Sequence, residues 1–262
     1  MNSNEVVIIA AKRTPVGAFQ GSLASVSAPK LGAVAINAIL DETGIDVNVV
    51  DEVIMGNVLS AGLGQAPARQ AALFAGLPNS VDCLTINKMC GSGLKAVMLG
   101  AQAIQCGDAE VVIAGGMENM SQSPYYLMDA REGMRMGHKK VVDSLIQDGL
   151  WDPYGGMHMG NCAEVLAKEG NYSREDQDEF AVESYQRSME AIKKGYFQDE
   201  ITPVEVPQRK GDPVIVDTDE EPGRGKPEKI SKLQPAFENE GTITAANASS
   251  INDGAAAVVV IS

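Results

Sequence analysis

Apolar residues fall along this chain in two rhythms, short continuous runs and stripes spaced three or four apart. Val6-Val7-Ile8-Ile9-Ala10 is a continuous run, the pattern of a strand covered on both faces. Behind Pro29 come Leu31, Val34, Ala35, Ala38 and Ile39, an i, i+3, i+4 stripe that predicts a helix. Val53-Ile54-Met55 predicts a second strand, residues 69–75 a short helix, and Cys83-Leu84-Thr85-Ile86 a third strand. A helix follows over about residues 92–105. Lys95, Gln102 and Gln105 are its only long polar residues, the mark of a core helix. Val111-Val112-Ile113-Ala114 predicts a fourth strand, ending in Gly115-Gly116. Strands alternating with helices predict an α/β layered domain with a largely parallel sheet.

From about Glu118 the texture changes, and strand periodicity gives way to mixed Met, Tyr, Pro, Gly and charged residues. Ser173, with an acid three residues on at Asp176, predicts a helix start. That helix would carry Phe180, Ala181, Ser184, Tyr185 and Ile192 on one face and stop before Gly195. Residues 203–235, crowded with prolines, glycines and charges, read as a wandering excursion rather than a core. Strand character returns in Gly241-Thr242-Ile243-Thr244 and in Ala255-Ala256-Ala257-Val258-Val259-Val260-Ile261. The pattern thus predicts one α/β domain over 1–119 and 241–262, with an α-rich insertion at 120–240.

A formal charge of −14 argues against nucleic acid as a partner, because phosphate binding needs a basic face. Four cysteines without a C-x-x-C pair predict neither a metal site nor a disulfide framework. No apolar run reaches membrane-spanning length. The opening Met1-Asn2-Ser3-Asn4-Glu5-Val6 predicts direct entry into a strand with no signal or transit segment ahead. A reducing, cytoplasmic setting is the expectation. Gly62-Leu63-Gly64 invites a dinucleotide-binding reading, but Pro67 replaces the third small residue of that fingerprint.

The stretch with chemical promise is Thr85-Ile86-Asn87-Lys88-Met89-Cys90-Gly91-Ser92-Gly93-Leu94. It reads as the end of a strand, a one-residue corner and a helix start. A cysteine in the first turn of a helix meets free backbone N–H groups and the positive dipole end, which favour the nucleophilic thiolate. Gly91 and Gly93 would clear space beside the sulfur. The plainer reading is an inert, buried packing cysteine. Cys83, Cys106 and Cys162 lack such a setting and read as structural.

Ile86-Asn87-Lys88-Met89-Cys90-Gly91-Ser92-Gly93, followed by Ala114-Gly115-Gly116-Met117-Glu118-Asn119-Met120-Ser121, closely resembles the thiolases, specifically the acetoacetyl-CoA thiolase group. The resemblance continues in Gly56-Asn57-Val58-Leu59, Gly64-Gln65-Ala66-Pro67-Ala68-Arg69-Gln70, His158-Met159-Gly160 and Asn247-Ala248-Ser249. It implies a layered α/β/α half with an inserted α-rich loop domain for coenzyme A binding and oligomerisation. A thiolase subunit has a second α/β half, with an Asn-Glu-Ala-Phe stretch, a Gly-His-Pro motif and a second catalytic cysteine. These are absent from this sequence, so the expectation is a first half without its second. The implied reaction is Claisen condensation of two acetyl-CoA to acetoacetyl-CoA, or its reverse, through an acetyl group on Cys90. A non-catalytic, dimer-forming fragment is the alternative, and a cysteine hydrolase using His158 as base a more distant one.

The resemblance also assigns roles. Coenzyme A enters as part of the substrate, with no tightly bound cofactor and no metal. Leu150, His158, Met159, Phe237, Ala245, Ser249 and Ile251 match positions lining the coenzyme A channel, Ser249 offering its hydroxyl to the pantetheine amides. Arg224 matches, one residue displaced, an arginine at the adenine end; Lys226, Lys229 and Lys232 accompany it against the single Glu228. His138 reads as structural. The backbone N–H of Cys90 fits one oxyanion donor. A homodimer or homotetramer is implied, with the strand before Cys90 near the two-fold axis.

Overall fold

The computed structural model describes residues 5–262. The expected direct entry into a strand falls partly on residues 1–4, which lie outside the described residues. The first elements are β1 (Val7–Arg13), β2 (Gly17–Ala18), α1 (Ala28–Thr43), β3 (Glu52–Gly56), α2 (Pro67–Phe74), β4 (Asp82–Ile86), α3 (Ser92–Cys106) and β5 (Val111–Asn119). Pro29 sits in the first turn of α1, where its missing N–H is not needed, and Gly44 ends the helix at φ 64°. Two short pairs follow, β6 (Tyr125–Tyr126) with β7 (Val142–Asp143) and β8 (Trp151–Asp152) with β9 (Met157–His158). Next come α4 (Met159–Gly170) and α5 (Arg174–Lys194), then β10 (Val204–Val206), β11 (Val214–Val216), α6 (Glu220–Arg224) and β12 (Asn252–Ile261).

The chain forms two compact units. The first takes residues up to Ser123, Gln198–Thr218 and Asn252–Ser262; the second takes Pro124–Phe197 and Asp219–Ile251. The division differs from an insertion over 120–240. Residues 198–218 return to the first unit, tied to β1 by Arg13 N–H to Glu200 O (2.9 Å) and Thr202 N–H to Arg13 O (2.8 Å). Val204 and Val206 of β10 are buried in its core, so this stretch is no wandering excursion.

In the first unit the sheet order is β1-β12-β5-β3-β4, with β2 beside β12. β3 runs parallel to β4 and β5, whereas β12 is antiparallel to β1, β2 and β5. The sheet is therefore mixed rather than largely parallel, because β12 returns late in the chain and wedges between β1 and β5 in the opposite sense. Along β3, Val53 and Met55 pack with α1 and α2, while Ile54 faces Ala96 and Ile104 of α3. That alternation is the two-residue period of a strand between helical layers. β1 departs from expectation. Val7, Ile8 and Ile9 are exposed, because β1 is an edge strand and α3 packs chiefly on β5, β3 and β12.

α3 also corrects the sequence reading of a fully buried helix. Its buried stripe is Ser92, Ala96, Gly100 and Ile104, while Leu94 and Met98 are exposed. Small residues every fourth position let the helix lie close. A Cβ at Gly100 would sit 2.9 Å from Val112 Cγ1.

β5 does not end at Gly115-Gly116 but runs through them to Asn119. The glycines are there for proximity, since a Cβ on Gly115 would stand 2.1 Å from the Ala256 carbonyl oxygen.

In the second unit Ser173 caps α5, its Oγ accepting from Asp176 N–H, and Gly195 closes the helix at φ 71°. The face differs from the predicted one. Asp178 and Ala181 are buried, whereas Phe180 and Ser184 point outward. Residues 241–244 form no strand; they are a loop.

Gly115→Ala is expected to destabilise the first unit by about 1–3 kcal/mol or more, because the opposing atom is backbone and cannot turn aside. Urea unfolding with an unchanged midpoint would contradict this packing argument.

Candidate active site

Between the end of β4 at Ile86 and the start of α3 at Ser92 lie five residues rather than one. Cys90 is exposed and stands two residues ahead of the helix, with Gly91 as N-cap. Met89 adopts φ 50°, a left-handed conformation that a side chain disfavours by roughly 1–2 kcal/mol. Hydrogen bonds hold it there. Asn87 Oδ1 accepts from Met89 N–H (2.9 Å). Ser92 Oγ accepts from Lys88 N–H (2.8 Å) and donates to Met89 O (2.6 Å). The N–H groups of Gly91 and Ser92 donate to Lys88 O (3.2 Å) and Met89 O (3.0 Å). The corner that presents the sulfur is thus over-determined.

Steric demand at the corner lies elsewhere than at Gly91 and Gly93. A Cβ on either would meet its nearest neighbour at 3.5 and 3.7 Å, ordinary contact. At Gly56, the last residue of β3, a Cβ would come 2.6 Å from Ser92 Cβ and 2.8 Å from Gly93 N. The start of α3 therefore rests directly on the end of β3. The next residues are fixed by Glu118, whose carboxylate accepts from Val58 N–H (2.8 Å), Leu59 N–H (3.1 Å) and Asn57 Nδ2 (2.8 Å). Burial pushes the Glu118 carboxyl up, with those donors opposing.

The remaining cysteines differ from one another. Cys83 is half-buried and burial pushes its thiol up, with Arg69 opposing. Cys162 is half-buried on α4, and Cys106, read from sequence as structural, is exposed at the last residue of α3.

The expected coenzyme A residues all lie in the second unit. His158 caps α4, its Nδ1 accepting from Gly160 N–H (3.0 Å), and its ring stacks on Phe237 at 5.0 Å. Gly160 makes room for the Phe237 ring, since a Cβ there would be 2.3 Å from it. Met159 is exposed beside them. Leu150, half-buried, precedes Trp151, which pairs with His158 across the β8–β9 hairpin. Ala245 and Ser249 are exposed and Ile251 half-buried on the loop after Gly241. Ala236 N–H to Ile243 O (2.9 Å) joins that loop to the Phe237 segment.

Arg224 is anchored apart from this group, at the end of α6. It is exposed, 3.7 Å from Glu220, and the following Gly225 lies against the Tyr185 ring of α5. His138 is exposed. No group of His, Cys, Asp and Glu able to hold a metal occurs among the described residues.

Sequence reasoning missed Glu164, which is fully buried on α4. Its carboxylate accepts from Thr242 N–H (2.9 Å), Thr242 Oγ1 (3.1 Å) and Ile243 N–H (2.8 Å). The available signal was an acid between Ala163 and Val165 in an otherwise amphipathic helix, which reads equally well as a surface residue. It also missed Asn87 and Ser92, although an Asx residue opening a turn is a recognisable local signal.

Burial raises the Glu164 carboxyl, but the Thr242 and Ile243 donors outweigh it and the net position is below the ordinary 4.5. A folded value lower than the unfolded one means stability that is present above about pH 4.5 and lost as pH falls through the folded value. Glu164→Gln is expected to cost about 1.5–3 kcal/mol at neutral pH and to flatten the acid limb of that profile. Amide-exchange protection at Thr242 and Ile243 measures both; an acid limb of the same depth in the variant would refute the assignment.

Residues 6–262 match the family model described as thiolase, N-terminal domain. The chain is 60% identical over 259 residues to an acetyl-CoA acetyltransferase of Pseudomonas aeruginosa, covering 98% of this chain and 66% of that protein. It is 54% identical over 264 residues to acetyl-CoA acetyltransferase 2 of Arabidopsis thaliana, covering 100% of this chain and 66% of that one. Among solved structures, Acat5 thiolase from Ascaris suum in complex with coenzyme A is similar at TM-score 0.93 and 44% identity, over 99% of this chain and 66% of that one. The chain thus spans just under two thirds of the length of these relatives. It belongs to the thiolase family, matching its N-terminal domain from residue 6 to residue 262.

Proposed function

We propose that this chain supplies the nucleophile and the coenzyme A-binding segment of an acetyl-CoA C-acetyltransferase. The observation that carries the reading is the exposed Cys90 on a rigid corner at the N-terminal end of α3. Backbone N–H groups at such an end favour an anion and can serve an oxyanion. The names of the 54–60% identical relatives supply the substrate class.

In this reading the Cys90 sulfur attacks the acetyl-CoA carbonyl, the carbon–sulfur bond to coenzyme A breaks, and coenzyme A leaves with a proton. A second acetyl-CoA, deprotonated beside its carbonyl, then attacks the acetyl group, forming the new carbon–carbon bond and returning the sulfur. The base for that deprotonation is assigned to neither histidine. His158 is engaged as a cap and a stacking partner, a role suited to lining a channel. Leu150, Met159, Phe237, Ala245, Ser249 and Ile251 complete the lining, and Arg224 meets the phosphates.

We place the protein in the cytoplasm as a homodimer or homotetramer, on the resemblance. In support of self-association, β4 is an edge strand with Leu84 exposed.

Incubation with acetyl-CoA is expected to leave one acetyl group on the Cys90 peptide, seen by mass spectrometry and lost in Cys90→Ala. Acetylation centred on Cys106, at the opposite end of the same helix, would overturn the assignment. Arg224→Glu is expected to weaken coenzyme A binding about fivefold at low salt and less at high salt, since an exposed charge–phosphate contact is screened. Titration calorimetry at two salt concentrations decides, and equal affinity at both would remove Arg224 from the site.

A further inference from the structure

The segment carrying Ala245, Ser249 and Ile251 has neither helix nor strand of its own. Backbone without ladder partners keeps one shape only where its polar groups are satisfied by other means. Here a carboxylate fixes its entry, Thr242 and Ile243, and the side chains of Thr244 and Asn247 take over from there. Glu164 has no solvent exposure and takes the N–H groups of Thr242 and Ile243 and the Thr242 hydroxyl, at 2.8–3.1 Å. Gly241 wraps it so closely that a Cβ there would stand 2.2 Å from Oε1. Asn247 fixes the next part of the loop. Its Oδ1 accepts from Thr244 N–H (2.7 Å), and its Nδ2 donates to Thr242 O and Asp178 Oδ1, both at 3.0 Å. Asp178 is held in turn by Arg174 (2.8 Å), which also donates to the carbonyls of Ile230 (3.3 Å) and Leu233 (2.8 Å).

We propose that Glu164 is a positioning residue for coenzyme A binding: its buried carboxylate, wrapped by residues 241–243, fixes the loop that presents Ala245, Ser249 and Ile251 to the pantetheine chain. The inference rests on the coenzyme A reading above. A buried carboxylate is a poor choice for stability alone, because apolar packing of similar volume often holds a fold as well. What it adds is direction. Hydrogen bonds of fixed length orient the backbone, and the side chains that follow point accordingly. With no exposed surface of its own, Glu164 acts only through the loop. Arg224 ends α6, which meets α5 where Gly225 lies against Tyr185, and it pairs with Glu220 rather than Glu164. On this reading the nucleotide end of coenzyme A does not depend on Glu164.

The test compares coenzyme A with 3′-phospho-ADP, its nucleotide part, as ligands of the wild-type protein, Glu164→Gln and Gly241→Ala, well below the melting temperature. The expected result is a Kd for coenzyme A raised on the order of tenfold in both variants, with the Kd for 3′-phospho-ADP unchanged. A lowered Tm with both affinities unchanged, or both weakened alike, would show a merely structural carboxylate and overturn the proposal. Should the variants fail to fold, amide exchange in the wild-type protein replaces them. Thr242 and Ile243 are then expected to be further protected by coenzyme A and not by 3′-phospho-ADP, and equal protection by the two would count against the idea. Wild-type protein that binds no coenzyme A would sink the functional reading itself. Wild-type binding matched by equally strong variant binding would sink this inference alone.

Discussion

How closely α3 can lie on its sheet governs everything the first unit offers at Cys90. The helix touches the sheet through Ser92, Ala96, Gly100 and Ile104, and it meets β3 at Gly56, where a single methyl group would collide with Ser92. Gly115 performs the matching service between β5 and β12. These contacts are backbone against backbone or against short side chains, so there is no slack to absorb a larger residue. With the helix start pinned to the end of β3, the five residues between β4 and α3 have a short, fixed path. Met89 is driven into a left-handed conformation along that path, and Asn87 and Ser92 hold it there. The sulfur is thus carried on a corner whose shape is fixed by hydrogen bonds rather than on a loose segment.

Both units use the same device to shape chain that has no ladder. In the first, Glu118 collects the N–H groups of Val58 and Leu59 and the Asn57 amide just past β3. In the second, Glu164 collects those of Thr242 and Ile243. Their carboxyl groups nonetheless move in opposite directions. Burial dominates at Glu118, where Asp253 adds like charge, and pushes it up. At Glu164 burial is outweighed by three donors, with Lys168 adding opposite charge, and the carboxyl is held down. The fully buried Glu164 and the half-buried Glu118 are tolerated because N–H donors replace the water each carboxylate lost.

Much of this architecture was legible without coordinates. The stripe after Pro29, the alternation of short apolar runs with helices, and the Ser173 capping box each rest on interactions within a few residues, and each formed close to where the pattern placed it. The family motif around Cys90 was equally plain. Less legible were the extent of β5, the mixed sense of the sheet and the exposed edge at β1. A glycine pair reads as a strand end until one sees Ala256 opposite it. An apolar run reads as doubly covered until the strand order leaves it at an edge. The buried face of α5 shifted for a similar reason. Asp178 pairs with Arg174 one turn back, a neighbour the helical period does place, but it is also held by Asn247, a partner 69 residues away that no helical period reveals.

By itself, then, the sequence determined the main strands and helices of the first unit before residue 119, where α1 begins, where α5 begins and stops, and which cysteine stands at a strand-to-helix corner. These are consequences of local sterics, capping and periodicity, which act over a turn or two of chain. Tertiary structure alone decided that 198–218 rejoins the first unit, that Gly56 rather than Gly91 or Gly93 is the tight point, and that Glu164 shapes a loop nearly eighty residues away. Those outcomes depend on which backbone groups are left without partners once the elements have packed. Such a remainder is a property of the assembled chain, and no single stretch of it carries the answer.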